Sequence, residues 1–243
     1  LDHNNLAKLM TINKISVITV CYNAVSGIER TIKSVLNQTY EHLEYIVIDG
    51  GSTDGTIEVI NRYKDKIAYF ISEKDNGIYD AMNKGIKVAH GTWLSFMNAG
   101  DCFADNLVVE RIFKEDISSY VKVIYGDFIA ESNFTLNIVK AKNTCVFYKD
   151  MPFCHQAAFL RNENYVYDIQ YHIAADYKLF RSIYSKYGKR SFKKMKMAIA
   201  IFDLNGISNS NESLLRKEYH ELYHEFGGFY YVIDSIKRIL SKF

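Results

Sequence analysis

The chain has 243 residues, of which 48% are hydrophobic and 24% are charged, and this ordinary balance excludes disordered and collagen-like proteins. Its 30 basic and 28 acidic side chains give a formal net charge of +2, which is too even to favour nucleic acid as a partner of the whole chain. The four cysteines contain no C-x-x-C pair, so zinc-finger spacing and a disulfide-rich secreted scaffold are also excluded.

Membrane and export signals are not visible in the sequence. Residues 1–14 hold no apolar stretch of the kind found in signal peptides, because charged residues are scattered through them. Nowhere do 18 apolar residues run together, as a membrane-spanning helix would need. We therefore expect a cytoplasmic protein.

The first half of the chain alternates short β-branched runs with amphipathic segments. This alternation is typical of βαβ units around a mostly parallel sheet, so we expect a Rossmann-like half. In chain order the predicted elements are a strand at 15–20, a helix at 28–36, a strand at 45–48, a helix at 56–63, a strand at 67–71, a helix at 78–89 and a strand at 93–96.

The second half has a different order of elements. No Ser/Gly-rich linker separates it from the first half, so we expect one continuous domain that ends in a helical tail. The predicted elements are adjacent strands at 121–130 and 133–139, a helix at 174–185, a strand at 197–202 and one or two amphipathic helices within 212–240.

Polar loops follow all four strands of the first half. Ligands of open α/β sheets bind outside the carboxyl ends of the strands, so the content of these loops indicates the function. Four polar loops on one edge predict a site for a polar ligand. The loops are Cys21–Asn23, Asp49–Gly55, Glu73–Gly77 and Asn98–Asp101.

The second loop is the most informative of the four. Asp49 at a strand end can accept a hydrogen bond from a base N–H or a ribose hydroxyl. Gly51 and the other glycines of this loop let the backbone turn sharply and approach a ligand closely. Asp54 can cap the next helix, and an ordinary capped turn would also account for Ser52, Asp54 and Gly55.

The fourth loop suggests a metal ion. Asp101 and Asn98 supply hard oxygen ligands at a strand end, which suits Mg²⁺ or Mn²⁺ bridging a diphosphate. Asp101 could instead cap the helix that Asp105 begins, and the loop alone does not decide between these roles.

These loops also carry a family resemblance. The segments Ile15–Asn23, Ile46–Thr56, Ser72–Lys84 and Phe96–Phe103 resemble family-2 glycosyltransferases with the GT-A fold, in the bacterial branch that builds polysaccharides such as O-antigen and capsule. The resemblance is close over residues 14–105. It continues in patches at Tyr125–Asp127, His155–Gln156, Ala174–Asp176 and Phe202–Ser208.

The resemblance implies an α/β fold, with a GT-A Rossmann-like, mostly parallel sheet flanked by helices and a C-terminal helical extension. It implies a catalytic domain at 14–210, with a nucleotide-binding half at 14–105 and an acceptor half at 106–210, and a helical tail at 211–243. The implied activity is inverting transfer of a hexosyl or N-acetylhexosaminyl group from a nucleoside-diphosphate sugar, with UDP favoured, to a hydroxyl of a glycan acceptor that is lipid-linked.

The resemblance also assigns the donor site residue by residue. Asp49 matches the position that holds the nucleobase, and Asp101 matches the surviving metal carboxylate for Mg²⁺ or Mn²⁺. Asn98 and Gly100 stand where many family members have acids. The implied donor-binding residues are Thr19, Tyr22, Asn23, Asp49, Gly51, Asp75, Gly77, Asn98, Gly100 and Asp101.

Asp176 matches the catalytic base of the family. An inverting displacement needs a carboxylate that takes the acceptor's proton. Ala175 replaces an acid that many members carry, and without the family Asp176 would also fit the first turn of a helix. His155 and Gln156 match a segment on the acceptor side, although a lone histidine there also fits a core position.

Two alternatives remain open from the sequence. His220, Glu221 and His224 satisfy HExxH, the zinc-protease pattern, but Tyr230 occupies the place of the third metzincin ligand. The other alternative is a binding module for nucleotide sugars or glycans whose catalytic site has decayed. A decayed site would explain why Asn98 and Ala175 stand where many family members have acids.

A basic region suggests contact with a membrane surface. Arg181–Lys196 carries seven Lys/Arg and no acid, and the chain ends in a basic, aromatic-rich segment at Lys237–Phe243. Such a terminus can lie on an anionic bilayer, here the inner face of the cytoplasmic membrane. A solvated face with a core-packing helix explains the same pattern.

Overall fold

The computed structural model describes residues 13–114, 116–132, 135–204 and 211–226. Within these ranges, no helix combines the length and the hydropathy needed to cross a bilayer. The strands are β1 (Ile15–Cys21), β2 (Leu43–Asp49), β3 (Tyr69–Ser72), β4 (Trp93–Phe96), β5 (Cys102–Phe103), β6 (Val123–Ser132), β7 (Thr135–Val139), β8 (Ala158–Arg161) and β9 (Phe192–Asp203). The helices are α1 (Ile28–Leu36), α2 (Thr56–Asn61), α3 (Ile78–Val88), α4 (Val108–Phe113), α5 (Ala175–Tyr187) and α6 (Glu212–Glu225).

The first half forms the parallel part of one mixed sheet. Strands β3, β2, β1 and β4 lie side by side in that order and all run parallel. The register pairs Cys21 with Asp49 and Asp49 with Ser72, so three strands end at the same level. The carboxyl ends of these strands therefore meet along one edge of the sheet, as the sequence predicts.

The second half extends the sheet in mixed directions. Strand β8 is antiparallel to both β4 and β6, and β6 is parallel to β9. The predicted neighbours β6 and β7 pair as an antiparallel hairpin, which confirms them. The sequence analysis missed β8, because its four residues show no alternation of apolar and polar side chains and include one alanine, which has a weak strand preference. The strand is instead stabilised by backbone hydrogen bonds to β4 and β6.

Helices cover both faces of the sheet and create two cores. Alternate residues of β1 point to opposite faces, so Ile18 packs into one core and Val17 into the other. The face with Ile18 also contains Met82 of α3 and Phe180 of α5. The face with Val17 receives α1, whose side chains at 28, 32 and 35 are buried as its helical period predicts.

Helix α6 packs on the core through α5. Tyr219 stacks on Tyr177 with ring centroids 4.6 Å apart, and Leu222 is fully buried in the Ile18 core. The described part of the predicted tail thus contributes to the same core as the sheet. The predicted continuation of this helix to residue 240 and the basic segment 237–243 lie outside the described residues.

Candidate active site

The candidate site begins where β1 ends between its two neighbours. The amide of Gly50 donates to the Cys21 carbonyl at 2.9 Å, and the amide of Ala99 donates to the Val20 carbonyl at 3.2 Å. The loops after β2 and β4 are therefore tied to the end of β1 from either side. This arrangement brings the loops of Asp49 and Asp101 to the same edge.

Hydrogen bonds also join the loops that follow β1 and β2. Asn23 adopts a left-handed backbone with φ of 47°, and its side-chain oxygen accepts from the amide of Thr53 at 2.9 Å. The amide of Val25 donates to Asp54 at 3.1 Å, and Asp54 also accepts from the amide of Thr56 at the start of α2. Tyr22 at the tip is 65% exposed, so its ring is available to a flat ligand.

Asp49 is fully buried and organises the loop that follows it. Its Oδ2 accepts from the amides of Gly51 and Ser52 at 3.0 and 2.8 Å, and from the Ser72 hydroxyl at 2.6 Å. Burial would raise the pKa of Asp49, but these hydrogen bonds outweigh it and hold the pKa below its ordinary value. A nucleobase would have to replace one of these bonds to reach this carboxylate.

Asp75 lies against the same loop. Its Oδ1 accepts from the amide of Gly77 at 2.9 Å, and its Oδ2 would be 2.5 Å from a Cβ at Gly50, so a larger residue at Gly50 would displace the Asp75 carboxylate. The pKa of Cys21 is raised by burial and then by Asp49, Asp54 and Asp75. Three carboxylates from two loops thus lie around the end of β1.

Thr19 lies within the core of the sheet. Like Asp49 it is fully buried, and its hydroxyl donates to the Met97 carbonyl at 2.8 Å and accepts from Tyr45. In this structure Thr19 supports the β1–β4 region from within the core and is not accessible to a ligand.

Asp101 is 5% exposed and lies beside Asp203 of β9. Its Oδ1 accepts from the Asp203 amide at 3.0 Å, and Gln156 donates a further hydrogen bond to the carboxylate. Burial raises the pKa of Asp101 to about 7, and the Asp203 charge adds to this while Arg30 opposes it. Two carboxylates held this close favour a cation between or beside them.

The loop between Asn98 and Asp101 is shaped by α1. The Thr31 hydroxyl donates to the Asp101 carbonyl at 2.7 Å and accepts from the amide of Gly100 at 3.0 Å. Gly100 has φ of 104°, and a Cβ there would lie 3.6 Å from Asp203 Oδ2. The Asn98 Oδ1 atom is buried and has no hydrogen-bond partner among the described residues.

Asp176 lies in the first turn of α5 and is partly buried. Its Oδ1 accepts from the amide of Tyr177 at 2.7 Å and from the hydroxyl of Tyr79 at 3.2 Å. Burial raises the pKa of Asp176 to about 6, although both hydrogen bonds lower it. The pKa of Cys154 is raised by burial and then by both Asp101 and Asp176, so both acids are close enough to this thiol to act on it through their charges.

The two predicted acceptor-side residues have different environments. Gln156 contacts Asp101 and also accepts from the Cys154 thiol at 3.0 Å, so it belongs to the acid cluster. His155 is buried, with its Nε2 2.8 Å from the Tyr167 hydroxyl and its ring centroid 5.1 Å from that of Phe96. Burial lowers the pKa of His155 to about 3, so the ring is neutral and packs as a core residue.

A small surface groove runs past the candidate base. One wall is the start of α3 at Asn76–Asp80, and the other contains Ile169, Tyr171 and His172. Tyr79 lines this groove and its hydroxyl donates to Asp176, so one residue separates the groove from the candidate base. A substrate hydroxyl could approach along it.

The HExxH histidines are arranged differently from a zinc site. His220 and His224 lie on the exposed side of α6 with ring centroids 4.7 Å apart. Across the described ranges, no group of three or more His, Cys, Asp or Glu side chains is placed to hold a metal ion.

Sequence reasoning missed three residues of this region. Tyr79 lies inside a quoted motif but was interpreted only as part of a helix. Asp203 ends β9, so the rule that polar residues after strands mark the site could have found it. Glu218 contacts the segment before Asp176 from α6, and nothing in the local sequence indicates that contact.

Comparison with known proteins places this architecture in a family. The model described as "Glycosyl transferase family 2" matches residues 16–184. An uncharacterized glycosyltransferase of Mycobacterium tuberculosis is 45% identical over 98 residues, which is 40% of this chain and 37% of that protein. A PGL/p-HBAD biosynthesis glycosyltransferase of the same species is 32% identical over 174 residues, 67% of this chain and 66% of that protein. The chain therefore spans well under half of the first relative.

Solved structures share the fold at low sequence identity. Staphylococcus aureus TarS in complex with UDP-GlcNAc has a TM-score of 0.65 and 14% identity, and the match covers 86% of this chain and 64% of that one. Mannosyltransferase PcManGT from Pyrobaculum calidifontis, in complex with GDP-Man and Mn²⁺, has a TM-score of 0.58 and 16% identity, over 78% of this chain and 56% of that one. The chain belongs to glycosyl transferase family 2 and has the GT-A fold.

Proposed function

We propose that this protein is an inverting glycosyltransferase that moves a sugar from a nucleoside-diphosphate donor to a hydroxyl of a glycan acceptor. The observation that carries the proposal is a pair of acids around one thiol: Asp101 is linked to Cys154 through Gln156, and Asp176 is close enough to act on the same thiol through its charge. A cation ligand and a base are the two groups that this reaction needs next to the bond that breaks. The related folds that bind UDP, UDP-GlcNAc and GDP-Man support a donor of this class.

The nucleotide half of the donor would lie over the ends of β1 and β2. The exposed Tyr22 ring could stack on the base, and the backbone of Asn23 and of the Gly50–Gly55 loop could approach the ribose. Asp49 and Asp75 supply the acceptor oxygens nearby. We favour uracil as the base, on the family resemblance.

The residues around Asp101 fit a Mg²⁺ or Mn²⁺ ion. The carboxylates of Asp101 and Asp203 and the buried, unpartnered Asn98 Oδ1 form an all-oxygen set, which hard divalent cations prefer. Asp203 would replace the acid that Asn98 lacks. When bound, the cation would neutralise charge on the departing diphosphate.

Asp203→Asn tests this assignment without an activity assay. We expect Mn²⁺ affinity to fall at least about tenfold, because one of two charged ligands is removed. Isothermal titration with Mn²⁺ and UDP measures it, and the exposed Asp105, paired with Arg111, provides the control variant Asp105→Asn. Equal affinities in wild type and Asp203→Asn would remove Asp203 from the site.

Asp176 is the proposed base. The acceptor oxygen attacks the anomeric carbon, the bond from that carbon to the diphosphate oxygen breaks, and the hydroxyl proton passes to the Asp176 carboxylate. A pKa of about 6 leaves this group ionised at neutral pH while making it a better proton acceptor than an ordinary aspartate. The nucleoside diphosphate leaves with the bonding electrons.

We further propose a lipid-linked acceptor in bacterial surface-polysaccharide synthesis, reached from the inner face of the cytoplasmic membrane. The support is the basic stretch at 181–196, the basic segment at 237–243 and the family resemblance. Deletion of 229–243 should weaken binding to anionic vesicles. Unchanged vesicle binding would contradict peripheral attachment through this segment.

A ligand and turnover screen tests the function. UDP, GDP and dTDP are compared by thermal shift with and without Mn²⁺, and release of nucleoside diphosphate from the matching sugar nucleotide is then measured. We expect one nucleotide to stabilise the protein in a metal-dependent way, and Asp176→Asn to keep that shift but lose about 10²–10⁴-fold in turnover. Affinity without turnover in the wild type would favour a binding module, and no shift with any nucleotide would contradict the proposal.

A further inference from the structure

The start of α5, which carries Asp176, has no cap from its own sequence. The N-cap residue is Ala174, whose side chain has no hydrogen-bond acceptor. The first amides of a helix lack partners within the helix, so a buried helix start needs acceptors from elsewhere. In this protein Asp176 accepts from the amide of Tyr177, while the acceptors for the N-cap amide of Ala174 and for the two amides before it come from α6.

Glu218 of α6 provides them. Its side chain is only 4% exposed, and its Oε1 accepts from the amide of His172 at 2.7 Å. Its Oε2 accepts from the amides of Ile173 and Ala174 at 2.9 and 2.8 Å. One buried carboxylate therefore holds three consecutive backbone amides that lead directly to Asp176.

The position of Glu218 is itself fixed by packing. Its neighbour Tyr219 stacks on Tyr177 of α5, and Leu222, one turn later, is fully buried. The contact is therefore a built junction between α6 and the start of α5 and not a flexible surface pair. Charge-assisted hydrogen bonds of this kind are among the stronger and more directional ones in proteins.

We propose that Glu218 is a positioning residue, which holds the backbone at 172–174 and thereby fixes where the Asp176 carboxyl points. The inference rests on the proposed role of Asp176 as the base. It gives α6 a part in the transfer reaction through the backbone that precedes Asp176. Misplacing a catalytic group by a fraction of its reach lowers the rate with little effect on ground-state binding.

Glu218 also acts on Asp176 through its charge. The other groups near Asp176 are Tyr79 on α3, Cys154 and Tyr167 on loops, and Tyr219 on α6. Burial raises the pKa of each of them, so they are neutral at physiological pH. The negative charge of Glu218 disfavours a second negative charge at Asp176 and helps to raise the pKa of the base.

The experiment compares Glu218→Gln and Glu218→Asp with wild type in the full chain, using release of nucleoside diphosphate from the sugar nucleotide at saturating Mn²⁺. For Glu218→Gln we expect kcat to fall on the order of tenfold, KM for the donor to stay within about twofold, and the acidic limb of the pH profile to move to lower pH. Glu218→Asp keeps the charge but shortens the reach, so kcat should fall with the acidic limb unmoved. Glu212→Gln removes an exposed acid of the same helix and should behave as wild type.

A second readout does not depend on turnover. Carbon-13 NMR of labelled aspartate carboxyls, assigned with Asp176→Asn, should show the pKa of Asp176 lower in Glu218→Gln than in wild type. Folded Glu218→Gln and Glu218→Asp variants with wild-type kcat, or an unmoved pKa in Glu218→Gln, would overturn the inference. Full activity in Asp176→Asn would instead overturn the proposed function, so the two failures are distinguishable.

Discussion

The carboxyl groups of the site differ because their partners differ. Asp49 is the most buried of them, yet backbone amides and hydroxyls keep its pKa low. At Asp101 and Asp176 the hydrogen bonds lower the pKa by less than burial raises it, so the pKa values rise to about 7 and about 6. The number of donors aimed at each carboxylate, more than its depth, thus separates the acid with a lowered pKa from the two with raised pKa values.

The pH dependence of turnover follows from Asp176. Protonation removes the lone pair that accepts the substrate proton, so at saturating Mn²⁺ the rate should fall as the pH drops through about 6 and stay level above it. The pH profile of kcat measures this. A rate that stays level down to about pH 4, near the ordinary pKa of aspartate, would contradict a raised pKa in the working enzyme.

Replacing Asp176, the proposed base, with asparagine should stabilise the folded protein at neutral pH. The pKa of Asp176 is higher in the folded chain than in the unfolded one, so ionisation of Asp176 costs folding free energy as the pH rises towards about 6 and above. Asp176→Asn should therefore have a higher Tm than wild type at about pH 7.5, and this difference should vanish near about pH 4. Scanning calorimetry at both pH values measures it, and a lower Tm of the variant at the higher pH would contradict the account.

At the scale of elements, one buried carboxylate joins the start of β1, the start of β2 and the turn before β4. Glu44 of β2 accepts from Lys14 Nζ at 2.7 Å, from the Ser16 hydroxyl and from the amide of His90 at 2.8 Å. The Ser16 hydroxyl in turn accepts from the amide of Gly91. Three segments that are far apart in the sequence are fixed at the end of the sheet opposite the active site.

Glu44→Gln should destabilise the protein in a pH-dependent way. Burial opposes ionisation of Glu44, but its partners lower its pKa to about 2, below the unfolded value, so its contribution is present above about pH 4.5 and is lost as the pH falls towards about 2. We expect a loss of about 2–3 kcal/mol at neutral pH and a much smaller one at about pH 2. Urea unfolding at both pH values measures it, with the exposed Glu41→Gln as control. An equal loss of unfolding free energy at both pH values would contradict the view that the Glu44 charge is the source of the stabilisation.

The sequence predicted the elements that have a local cause. A clear period and Gly or polar ends mark strands β1, β2 and β4 and helices α1 and α3. The ends of each of these elements lie within about two residues of the expected ones. Strand β8 and the two-residue β5 depend on partners far along the chain, so no local pattern indicates them. In the same way the edge that carries Asp49 and Asp101 was predictable, but the approach of Asp203 and Glu218 was not, because each comes from a distant element.

At the scale of the whole molecule, the proposed site lies where the parallel and mixed parts of the sheet meet. The parallel strands carry the proposed nucleotide loops. The last of them, β4, pairs with the antiparallel strand β8, and Cys154 and Gln156 lie just before β8 in the chain. Helices α5 and α6, which pack on the core that contains Ile18, carry Asp176 and Glu218. A single sheet that changes strand direction thus carries the proposed donor-binding edge, and the proposed base comes from the second half of the chain.

The stereochemistry of donor hydrolysis tests the central claim most directly, because water replaces the unidentified acceptor. The assay uses an α-linked sugar nucleotide of the base that the binding screen selects, and proton NMR follows the released sugar before its anomers equilibrate. If Asp176 activates the attacking oxygen opposite the diphosphate, the β-anomer appears first, and Asp176→Asn abolishes its release. First appearance of the α-anomer, or release at the wild-type rate in Asp176→Asn, would contradict the account.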